Sequence, residues 1–404
     1  MVFRRRRPPI APAGKASTTE RCPSPERQPT VLHITQPGSE GVGNYVAALS
    51  QAVATMGFRV VVVGPWGSPM HERLINGHIE LVDWRSSRHP TRGLRSDVSH
   101  LRRLIGAVGP DVVHLHSSKA GAAGRLAVQG RLPTVFQPHA WSYEAVDGPM
   151  VSVVAAWERF AAHWTDVLVT VSERERRNGL LRGITAPTVE VVPNPVDSNL
   201  FRPAETTRSA DTTLATTAGP VALCVGRLCH QKGQDVLLAA WPRVRAAIPR
   251  AKLVLVGNGP MLAKLAASID DSVVMLGNRD DTADLYRQAD LAVMPSRWEG
   301  MSLAMLEAMA SGLPVVATDV GGVTETVGHG AGAVVPVGDH RQMAEAIVVR
   351  LLDHDLRERE GREARRIILA DHRLEHTAAA LSRIYRSVME ASDDNTSTSR
   401  AISA

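Results

Sequence analysis

Short runs of β-branched residues alternate with longer amphipathic stretches along most of the chain. The runs lie at 31–35, 59–63, 111–116, 134–137, 166–171 and 189–192, and again at 221–225, 252–256, 273–276, 291–294, 315–317 and 333–335. A continuous valine run such as R-V-V-V-V-G is typical of a strand buried on both faces, hence of a parallel sheet with helices between its strands. The pattern therefore predicts a doubly wound α/β architecture, and it predicts it twice.

A proline-rich segment separates the two sets of runs. It reads V-P-N-P-V-D-S-N-L-F-R-P (192–203) and is followed by a threonine-rich stretch that we expect to form a mobile surface loop. With 404 residues the chain is long enough for two domains. We expect a disordered basic head (1–29), two Rossmann-like domains (30–197 and 198–370), a C-terminal helix (371–390) and a disordered tail (391–404).

The net charge of +5 is concentrated in the head. Residues 1–29 hold seven Arg or Lys and two Glu, so of the 46 basic and 41 acidic residues in the chain the remainder holds 39 of each. A neutral body argues against a nucleic-acid partner. Two interpretations of the head stay open, a solvated extension and a weak contact with anionic membrane lipid.

The location of the protein is predicted from three further features. The head lacks the apolar core of a signal peptide, and no run of 18 apolar residues follows. Three cysteines without C-x-x-C spacing indicate a reducing compartment, and neither a disulfide framework nor a zinc site. We expect a cytoplasmic protein, with peripheral contact at the inner face of the membrane as the open alternative.

One turn after a strand combines glycines with cations. The stretch C-V-G-R-L-C-H-Q-K-G places Arg227 and Lys232 between Gly226 and Gly233. Arginine can bind a diphosphate in a bidentate manner and lysine acts as a point charge, so the pair suits a diphosphate ligand. Either cation alone would be equally consistent with an ordinary surface loop.

Two glutamates lie in an apolar stretch after another strand, in S-R-W-E-G-M-S-L-A-M-L-E-A-M-A-S-G (296–312). Carboxylates among apolar residues are costly unless they bind something, and each of Glu299 and Glu307 can accept hydrogen bonds from two vicinal hydroxyls. We expect a helix to begin near Ser302, which can cap it, with the amides of Ser302 and Leu303 available to phosphate oxygens. The alternative is a capping acid and a satisfied buried acid.

Histidines and an acidic triplet offer further candidates. His139 follows a strand end in V-F-Q-P-H-A-W. His114 and His116 share one side of a strand, and two histidines at this spacing can bind a metal. Because no third metal ligand is visible, we favour a packing or acceptor-cleft role for His114 and His116. The sequence Asp353-His354-Asp355 lies in a charged helical region and is interpreted as surface. The G-x-G of V-G-N-G-P (256–260) lacks the third glycine of a dinucleotide-binding fingerprint.

The spacing E-x7-E, the G-R-x4-K-G turn and the two Rossmann-like halves together resemble the retaining glycosyltransferases of family 4, which have the GT-B fold. The resemblance covers roughly residues 30–390. It implies that Glu299 contacts hydroxyls of a donor sugar, that Glu307 holds the nucleotide ribose, and that Arg227 and Lys232 bind the donor diphosphate. It also implies an acceptor domain first, a donor domain second, and a last helix that crosses back to the first domain.

The stretch T-Q-P-G-S-E-G-V-G (35–43) resembles the glycine loop of the same family, although Glu40 stands where a glycine is common. The resemblance places His139 beside the reacting sugar, with its carbonyl supporting an oxocarbenium-like transition state, and places the base near L-G-N-R-D-D (276–281). It implies catalytic roles for His139, Glu299, Arg227 and Lys232, and a donor site lined by Gly41, Gly43, Gly226, Arg227, Lys232, Asn278, Arg279, Glu299, Gly300, Met301, Ser302, Leu303 and Glu307.

The activity implied is transfer of a hexosyl group, with retention and without metal or cofactor, from a nucleoside diphosphate sugar to an acceptor hydroxyl on a glycan, a lipid-linked sugar or a small molecule. UDP is the first expectation for the nucleotide, ahead of GDP, ADP and TDP. Two alternatives stay open. One is a UDP-sugar 2-epimerase of the same architecture, which would consume donor without acceptor, and the other is an inactive sugar-nucleotide-binding scaffold.

Overall fold

A computed structural model describes residues 27–38, 40–87, 91–204 and 219–402, and it contains two parallel sheets. The first sheet has seven strands in the order β3-β2-β1-β4-β5-β6-β7. Its strands are β1 Thr30–Thr35, β2 Arg59–Gly64, β3 Glu80–Asp83, β4 Val112–His116, β5 Thr134–Gln137, β6 Val167–Thr170 and β7 Thr188–Val191. Most of the basic head and of the threonine-rich loop lies outside the described residues.

The second sheet has six parallel strands in the order β10-β9-β8-β11-β12-β13. They are β8 Val221–Val225, β9 Lys252–Val256, β10 Val273–Met275, β11 Leu291–Met294, β12 Val315–Thr318 and β13 Gly332–Val335. In both sheets the strand order reverses direction beside the first strand of the set, between β1 and β4 and between β8 and β11. Ligands of doubly wound folds bind at such points, outside the carboxyl ends of the strands.

Helices separate most of the strands and cover both faces of each sheet. Those of the first half are α1 Glu40–Thr55, α2 Pro69–Asn76, α3 Leu94–Val108, α4 Ser117–Val128, α5 Met150–Ala161 and α6 Glu173–Leu181. Those of the second half are α7 Gln234–Ala247, α8 Leu262–Ala266, α9 Thr282–Gln288, α10 Leu303–Ala310, α11 Val323–Thr326, α12 His340–Leu352, α13 His354–Asp371 and α14 Leu374–Ile402. Among the described residues, none of these helices is both long and apolar enough to cross a membrane.

Successive residues of the first sheet pack into different cores. Val31 belongs to the cluster under α1 and α14, whereas its neighbour Leu32 belongs to the cluster under α3, α4 and α5. Both side chains are fully buried. This alternation explains why the strands read as continuous apolar runs and confirms the prediction of two doubly wound α/β domains.

The strand β3 is absent from the sequence-based prediction. It is short, its residues E-L-V-D are exposed or half-buried, and it forms the edge of the sheet. An edge strand contacts a single neighbour and buries little surface, so its sequence lacks the apolar run that marks the inner strands.

The last helix, α14, leaves the second domain and packs on the first. Ala378, Leu381 and Tyr385 are fully buried among residues of the first sheet and α1. The expected return of the C-terminal helix is therefore confirmed. The helix is described as far as Ile402, past residue 391, where a disordered tail was expected.

Candidate active site between the two sheets

A lysine and a glutamate form an ion pair at the carboxyl edge of the second sheet. Lys232 Nζ lies 2.5 Å from Glu299 Oε1, which also accepts a hydrogen bond of 2.8 Å from Ser296 Oγ. Burial by itself would lower the pKa of Lys232, but the adjacent Glu299 carboxylate outweighs it and the pKa is raised above its usual range. The lysine is therefore a permanent cation at the strand edge.

The second glutamate, Glu307, lies half-buried inside α10 near the same edge. Burial raises its pKa from 4.5 to about 7, while the Arg73 guanidinium and the Tyr286 hydroxyl act in the opposite direction. Tyr286 Oη lies 3.5 Å from Glu307 Oε2 and donates a shorter hydrogen bond of 2.9 Å to the Ala304 carbonyl. Arg73 belongs to α2 of the first domain, so Glu307 is influenced from both domains.

The start of α10 faces the first domain. Ser302 occupies the N-cap position, as predicted, but its side chain makes no capping hydrogen bond, contrary to the expected role. The preceding carbonyl of Met301 accepts a hydrogen bond of 2.9 Å from Asn194 Nδ2 in the interdomain segment. This contact ties the entry of the helix to the proline-rich segment 192–203 between the two domains.

The glycine-bearing stretch of the first domain lies opposite. Gly41 and Gly43 are in the first turn of α1, which begins at Glu40, whereas the sequence interpretation placed them in the turn before the helix. A Cβ on Gly43 would lie 2.6 Å from the Gly38 carbonyl carbon, so close packing of the turn on the helix requires glycine there. A Cβ on Gly41 would lie 3.9 Å from Leu303 Cδ1, which places this turn beside the start of α10.

His139 and Gly300 meet at the seam between the domains. His139 adopts φ 61°, a left-handed conformation that is uncommon for residues other than glycine and clusters at functional sites. A Cβ on Gly300 would lie 2.3 Å from the His139 carbonyl oxygen. The backbone of the Glu299 loop and the carbonyl of His139 are therefore in direct contact, with no room for a side chain between them.

A chain of three histidines leads from His139 into the core of the first sheet. His139 Nε2 lies 3.1 Å from His116 Nδ1, and His116 Nε2 lies 2.9 Å from His33 Nδ1. Burial lowers the pKa of His33 and of His139 to about 3 and lowers that of His116 as well. The three rings are therefore neutral at physiological pH, and each hydrogen bond joins the N–H of one ring to the lone pair of the next.

Sequence reasoning missed His33, although it singled out the other two strand histidines. The partner strands β1 and β4 place His33 directly beside His114. Together with His116 they offer three ring nitrogens within 4.8 Å of one another, a grouping that could hold a metal ion. A metal bound there would have to replace the His33–His116 hydrogen bond, and His114 Nδ1 is already 2.7 Å from Tyr385 Oη.

The remaining candidates lie around this centre or away from it. Arg227 and Gly226 follow β8, where a Cβ on Gly226 would lie 3.7 Å from the Lys232 side chain. Asn278 and Arg279 are exposed in the loop after β10, and Arg279 forms a bidentate pair with Asp281 at 2.5 and 2.8 Å. Of the acidic triplet, Asp353 caps α13 and the other two side chains are exposed, as expected of surface residues.

Two family models match the chain. The model described as Glycosyltransferase Family 4 matches residues 39–200, and the model described as Glycosyl transferases group 1 matches residues 219–354. The two matches correspond to the first and second sheets, respectively. Each domain is therefore matched separately by a glycosyltransferase model.

Several named proteins are similar in sequence. A GDP-mannose-dependent alpha-(1-6)-phosphatidylinositol monomannoside mannosyltransferase of Mycobacterium tuberculosis is 32% identical over 325 residues, which are 75% of this chain and 83% of that protein. A UDP-Gal:alpha-D-GlcNAc-diphosphoundecaprenol alpha-1,3-galactosyltransferase of Escherichia coli is 30% identical over 236 residues, which are 55% of this chain and 61% of that protein.

Solved structures share the fold over most of their length. A sucrose-phosphate synthase from Thermosynechococcus elongatus superposes with a TM-score of 0.76 at 24% identity, covering 90% of this chain and 100% of that one. Anabaena HepE in complex with UDP and glucose gives a TM-score of 0.76 at 22% identity, covering 88% and 99%. The arrangement of two Rossmann-like domains is thus the GT-B fold. Together, the sequence relatives and the family models show that the chain is a glycosyltransferase and belongs to family 4, the group 1 glycosyl transferases.

Proposed function

We propose that this glycosyltransferase transfers a sugar, with retention of configuration and without a metal ion, from a nucleoside diphosphate sugar to a hydroxyl of a lipid-linked acceptor. One observation carries the proposal. Glu299 lies on the loop whose Gly300 contacts the His139 carbonyl, and it is paired with Lys232 from the turn after β8, so a cation, a carboxylate and a carbonyl oxygen lie close together at the seam between the domains.

The cation binds the donor diphosphate in this proposal. When donor enters, Lys232 and Arg227 face the phosphate oxygens, and Glu299 exchanges its lysine partner in part for sugar hydroxyls. Fixed positive charge at a developing phosphate anion is the arrangement that favours departure of the nucleotide. These two side chains would supply the charge that a divalent cation supplies in other transferases.

The transfer itself is a front-face displacement. The bond between the anomeric carbon and the diphosphate oxygen breaks, and the acceptor oxygen forms its bond to the same carbon from the same side. The acceptor proton passes to the departing phosphate oxygen. The His139 carbonyl oxygen would face the positive charge on the sugar ring, and its neutral imidazole would contact a donor hydroxyl.

The donor nucleotide separates two versions of the proposal. The family resemblance favours UDP, whereas the Mycobacterium relative, which this chain matches over most of both lengths, is named for GDP-mannose. We take GDP-mannose as the first donor to test and a UDP-sugar as the alternative. The two relatives cited above are named for phosphatidylinositol and diphosphoundecaprenol substrates, which is why we propose a lipid-linked acceptor.

A thermal-shift panel with GDP, UDP, ADP and TDP, each with chelator, tests the donor site. A nucleotide at 100 times its Kd adds about 2.7 kcal/mol, or roughly 5–10 °C for a domain of this size. We expect one nucleotide to raise the melting temperature of wild type with chelator present and to lose most of its effect on Lys232→Ala, while Arg341→Ala, an exposed arginine of α12 outside the predicted donor site, behaves as wild type. If no nucleotide shifts the wild-type protein, the donor-site proposal is wrong.

The epimerase alternative and the retaining mechanism are tested with the matching nucleotide sugar. We expect turnover to need an acceptor, and NMR of the product to show the anomeric configuration of the donor. Release of an epimerised sugar without acceptor would favour the 2-epimerase. Nucleotide binding without any turnover would favour the inactive scaffold.

A further inference from the structure

Three helices that cover one face of the first sheet present an unusual charge distribution. The helices α3, α4 and α5 contain two acidic residues, Asp97 and Glu158. Both are buried, and they pair with Lys119 at 2.7 Å and with Arg125 at 2.6 Å. The acids of these three helices are therefore neutralised inside the protein, and the charges left on the outside are basic.

The exposed cations of this layer are arginines. They occupy the solvent side of two helices and the turn that follows α4, and they are Arg95, Arg102, Arg103, Arg131 and Arg159. We call this surface the basic face. Asp147, just before α5, is an exposed acid at its edge. Because the chain outside the head carries equal numbers of acidic and basic residues, such a one-sided surface is a local feature and not an effect of net charge.

The same surface carries an apolar stripe along α5. The residues Met150, Val153, Trp157 and Phe160 recur at helical spacing on the side away from the sheet. Met150, Val153 and Phe160 are 51%, 58% and 55% exposed. A helix at a protein surface normally turns polar residues outward, and a row of exposed apolar and aromatic residues marks an interaction site.

Aromatic rings connect the stripe to the arginines. The ring of Phe160 lies 5.0 Å from that of Trp164, centroid to centroid. Trp164 in turn lies against Gly130, where a Cβ would be 3.8 Å from Trp164 Cδ1, and Arg131 is the next residue. Apolar, aromatic and cationic groups thus form one continuous surface.

This surface adjoins the candidate active site. Helix α5 follows the β5 loop that contains His139, so Met150, at its first residue, is at the end of the stripe nearer to the carboxyl edge of the sheet. A molecule held against the stripe would therefore lie beside the first domain's side of the seam.

We propose that the basic face and the apolar stripe together dock on an anionic lipid surface. The proposal rests on the proposed function, because docking there would bring a lipid-linked acceptor to the seam between the domains. Aromatic residues beside arginines suit the boundary between lipid head groups and acyl chains. A second copy of the chain is disfavoured because two identical basic faces would repel each other. Nucleic acid would use the arginines but would leave the apolar stripe exposed.

The test is sedimentation of the full-length protein with vesicles of phosphatidylcholine alone and of phosphatidylcholine with phosphatidylglycerol, without acceptor or nucleotide. We expect binding to the anionic vesicles only. Each arginine near such a surface contributes about fivefold in partitioning, so Arg95→Glu/Arg103→Glu should weaken binding by about 25-fold or more. Val153→Ser/Phe160→Ser should weaken binding at high salt, where the apolar contribution dominates.

Matched controls lie on the second domain and in the head. Arg243→Glu/Arg250→Glu and Val349→Ser/Leu352→Ser change exposed residues of the same types and should leave binding unchanged. Replacing Arg4–Arg7 by serine measures the contribution of the head. The docking proposal is overturned if wild type does not bind anionic vesicles, if only the head variant loses binding, or if the control variants lose as much as the face variants.

Thermal shifts with nucleotide on the same protein samples separate this proposal from the proposed function. Vesicle binding without any nucleotide shift would count against the donor site and leave the docking surface supported. A nucleotide shift without vesicle binding would count against the docking surface alone. Binding to a random DNA duplex but not to anionic vesicles would assign the surface to nucleic acid and overturn the proposal.

Discussion

At the scale of single residues, burial raises the pKa of two glutamates from the ordinary value of 4.5, to about 7 for Glu307 and to about 8 for Glu175. The unfolded chain releases both protons near pH 4.5, whereas the folded chain holds them until pH 7 or 8. The folded state binds more protons across this window, so the contribution of each glutamate to the free energy of unfolding falls as the pH rises through it.

The buried histidines have the opposite effect. The pKa values of His33 and His139 are about 3 in the folded state against 6.5 ordinarily. Below pH 6.5 the unfolded chain takes up protons that the folded chain refuses, so their contribution to stability is lost as the pH falls. Because the two trends oppose each other between pH 4.5 and 6.5, variants are more informative there than the wild-type profile.

The first prediction concerns the role of Glu307 in nucleotide binding. If Glu307 holds the nucleotide ribose, as the family resemblance implies, the ribose hydroxyls donate to its ionised carboxylate, and affinity for the nucleotide should fall by up to about tenfold per pH unit below the pKa. The phosphate group of the nucleotide also titrates near pH 6 and adds its own pH dependence to the affinity. Glu307→Gln keeps this phosphate contribution and removes that of the carboxylate. We expect calorimetric titration between pH 6 and 8 to give a steeper pH dependence for wild type than for Glu307→Gln.

Glu175→Gln is the matched control, because Glu175 is also buried with a raised pKa but lies on α6, where its carboxylate accepts the Val171 amide at 2.7 Å. Its nucleotide titration should equal that of wild type, while its stability relative to wild type should increase from pH 5 to 8. Equal pH slopes for Glu307→Gln and wild type would exclude the ribose role.

The second prediction separates two neighbouring histidines. His116 is hydrogen-bonded to His139, whereas His114, on the same face of β4, is bonded to Tyr385. We expect His116→Gln to lower kcat by about three- to tenfold, the value of one hydrogen bond, and to change the 15N chemical shifts of the His139 ring. His114→Gln should lower stability with kcat and the His139 shifts unchanged. Identical effects of both variants would mean that the chain only packs the core.

At the scale of elements, the loop between β11 and α10 matters because it touches the first domain through its backbone. Gly300 and Gly321 show how tight this contact is. A Cβ on Gly321 would lie 2.2 Å from the Gly300 carbonyl oxygen, and one on Gly300 would lie 2.3 Å from that of His139. Three backbone segments are stacked here, and none of the contacts depends on a flexible side chain that could yield.

The third prediction follows from this stacking. Gly300→Ala should push the domains apart at the seam and lower kcat/KM by about 100-fold, since a displacement of about 1 Å can cost that much. Circular dichroism should remain that of wild type. Gly106→Ala is the control, because no atom of the described part of the chain lies within 4 Å of its Cβ position in α3, and it should be neutral or stabilising by about 0.5–1 kcal/mol. Full activity of Gly300→Ala would show that the seam opens without cost.

At the scale of the whole molecule, helix α14 makes the stability of the first domain depend on the end of the chain. Tyr385 is fully buried against the first sheet, although it lies 271 residues after its partner His114. The first sheet therefore completes its core only after the second domain has been synthesised. Contacts of this separation favour slow, late formation of the first domain's core.

The fourth prediction tests how far the stability of the first domain depends on α14, by removing the hydroxyl of Tyr385. Tyr385→Phe leaves a buried ring nitrogen of His114 without its partner, which should cost about 1–3 kcal/mol of stability in denaturant unfolding. Tyr143→Phe is the control, because the buried Tyr143 hydroxyl has no hydrogen-bond partner among the residues that the structure describes, and its removal should be neutral or stabilising. A loss of stability in Tyr143→Phe as large as in Tyr385→Phe would contradict the assignment.

Much of the candidate site can be predicted from the sequence because its residues lie close together in short segments of the chain. Glu299 and Glu307 are eight residues apart and Arg227 and Lys232 five, and each pair follows an apolar run that announces a buried strand. Period and spacing are local properties, so the sequence by itself determined the two doubly wound domains, their order and the segments that follow the strand ends.

The tertiary structure alone decided which of these segments meet. His33 joins His116 from a strand 83 residues away, Arg73 acts on Glu307 from the other domain, and Gly300 fits against the His139 carbonyl. It also showed that α3 and α5 turn their acids inward and their arginines outward. The sequence pattern of a helix or strand shows its periodicity, but it does not show which other element that helix or strand packs against or which of its faces turns outward. Both are set by packing between residues that are distant in the chain.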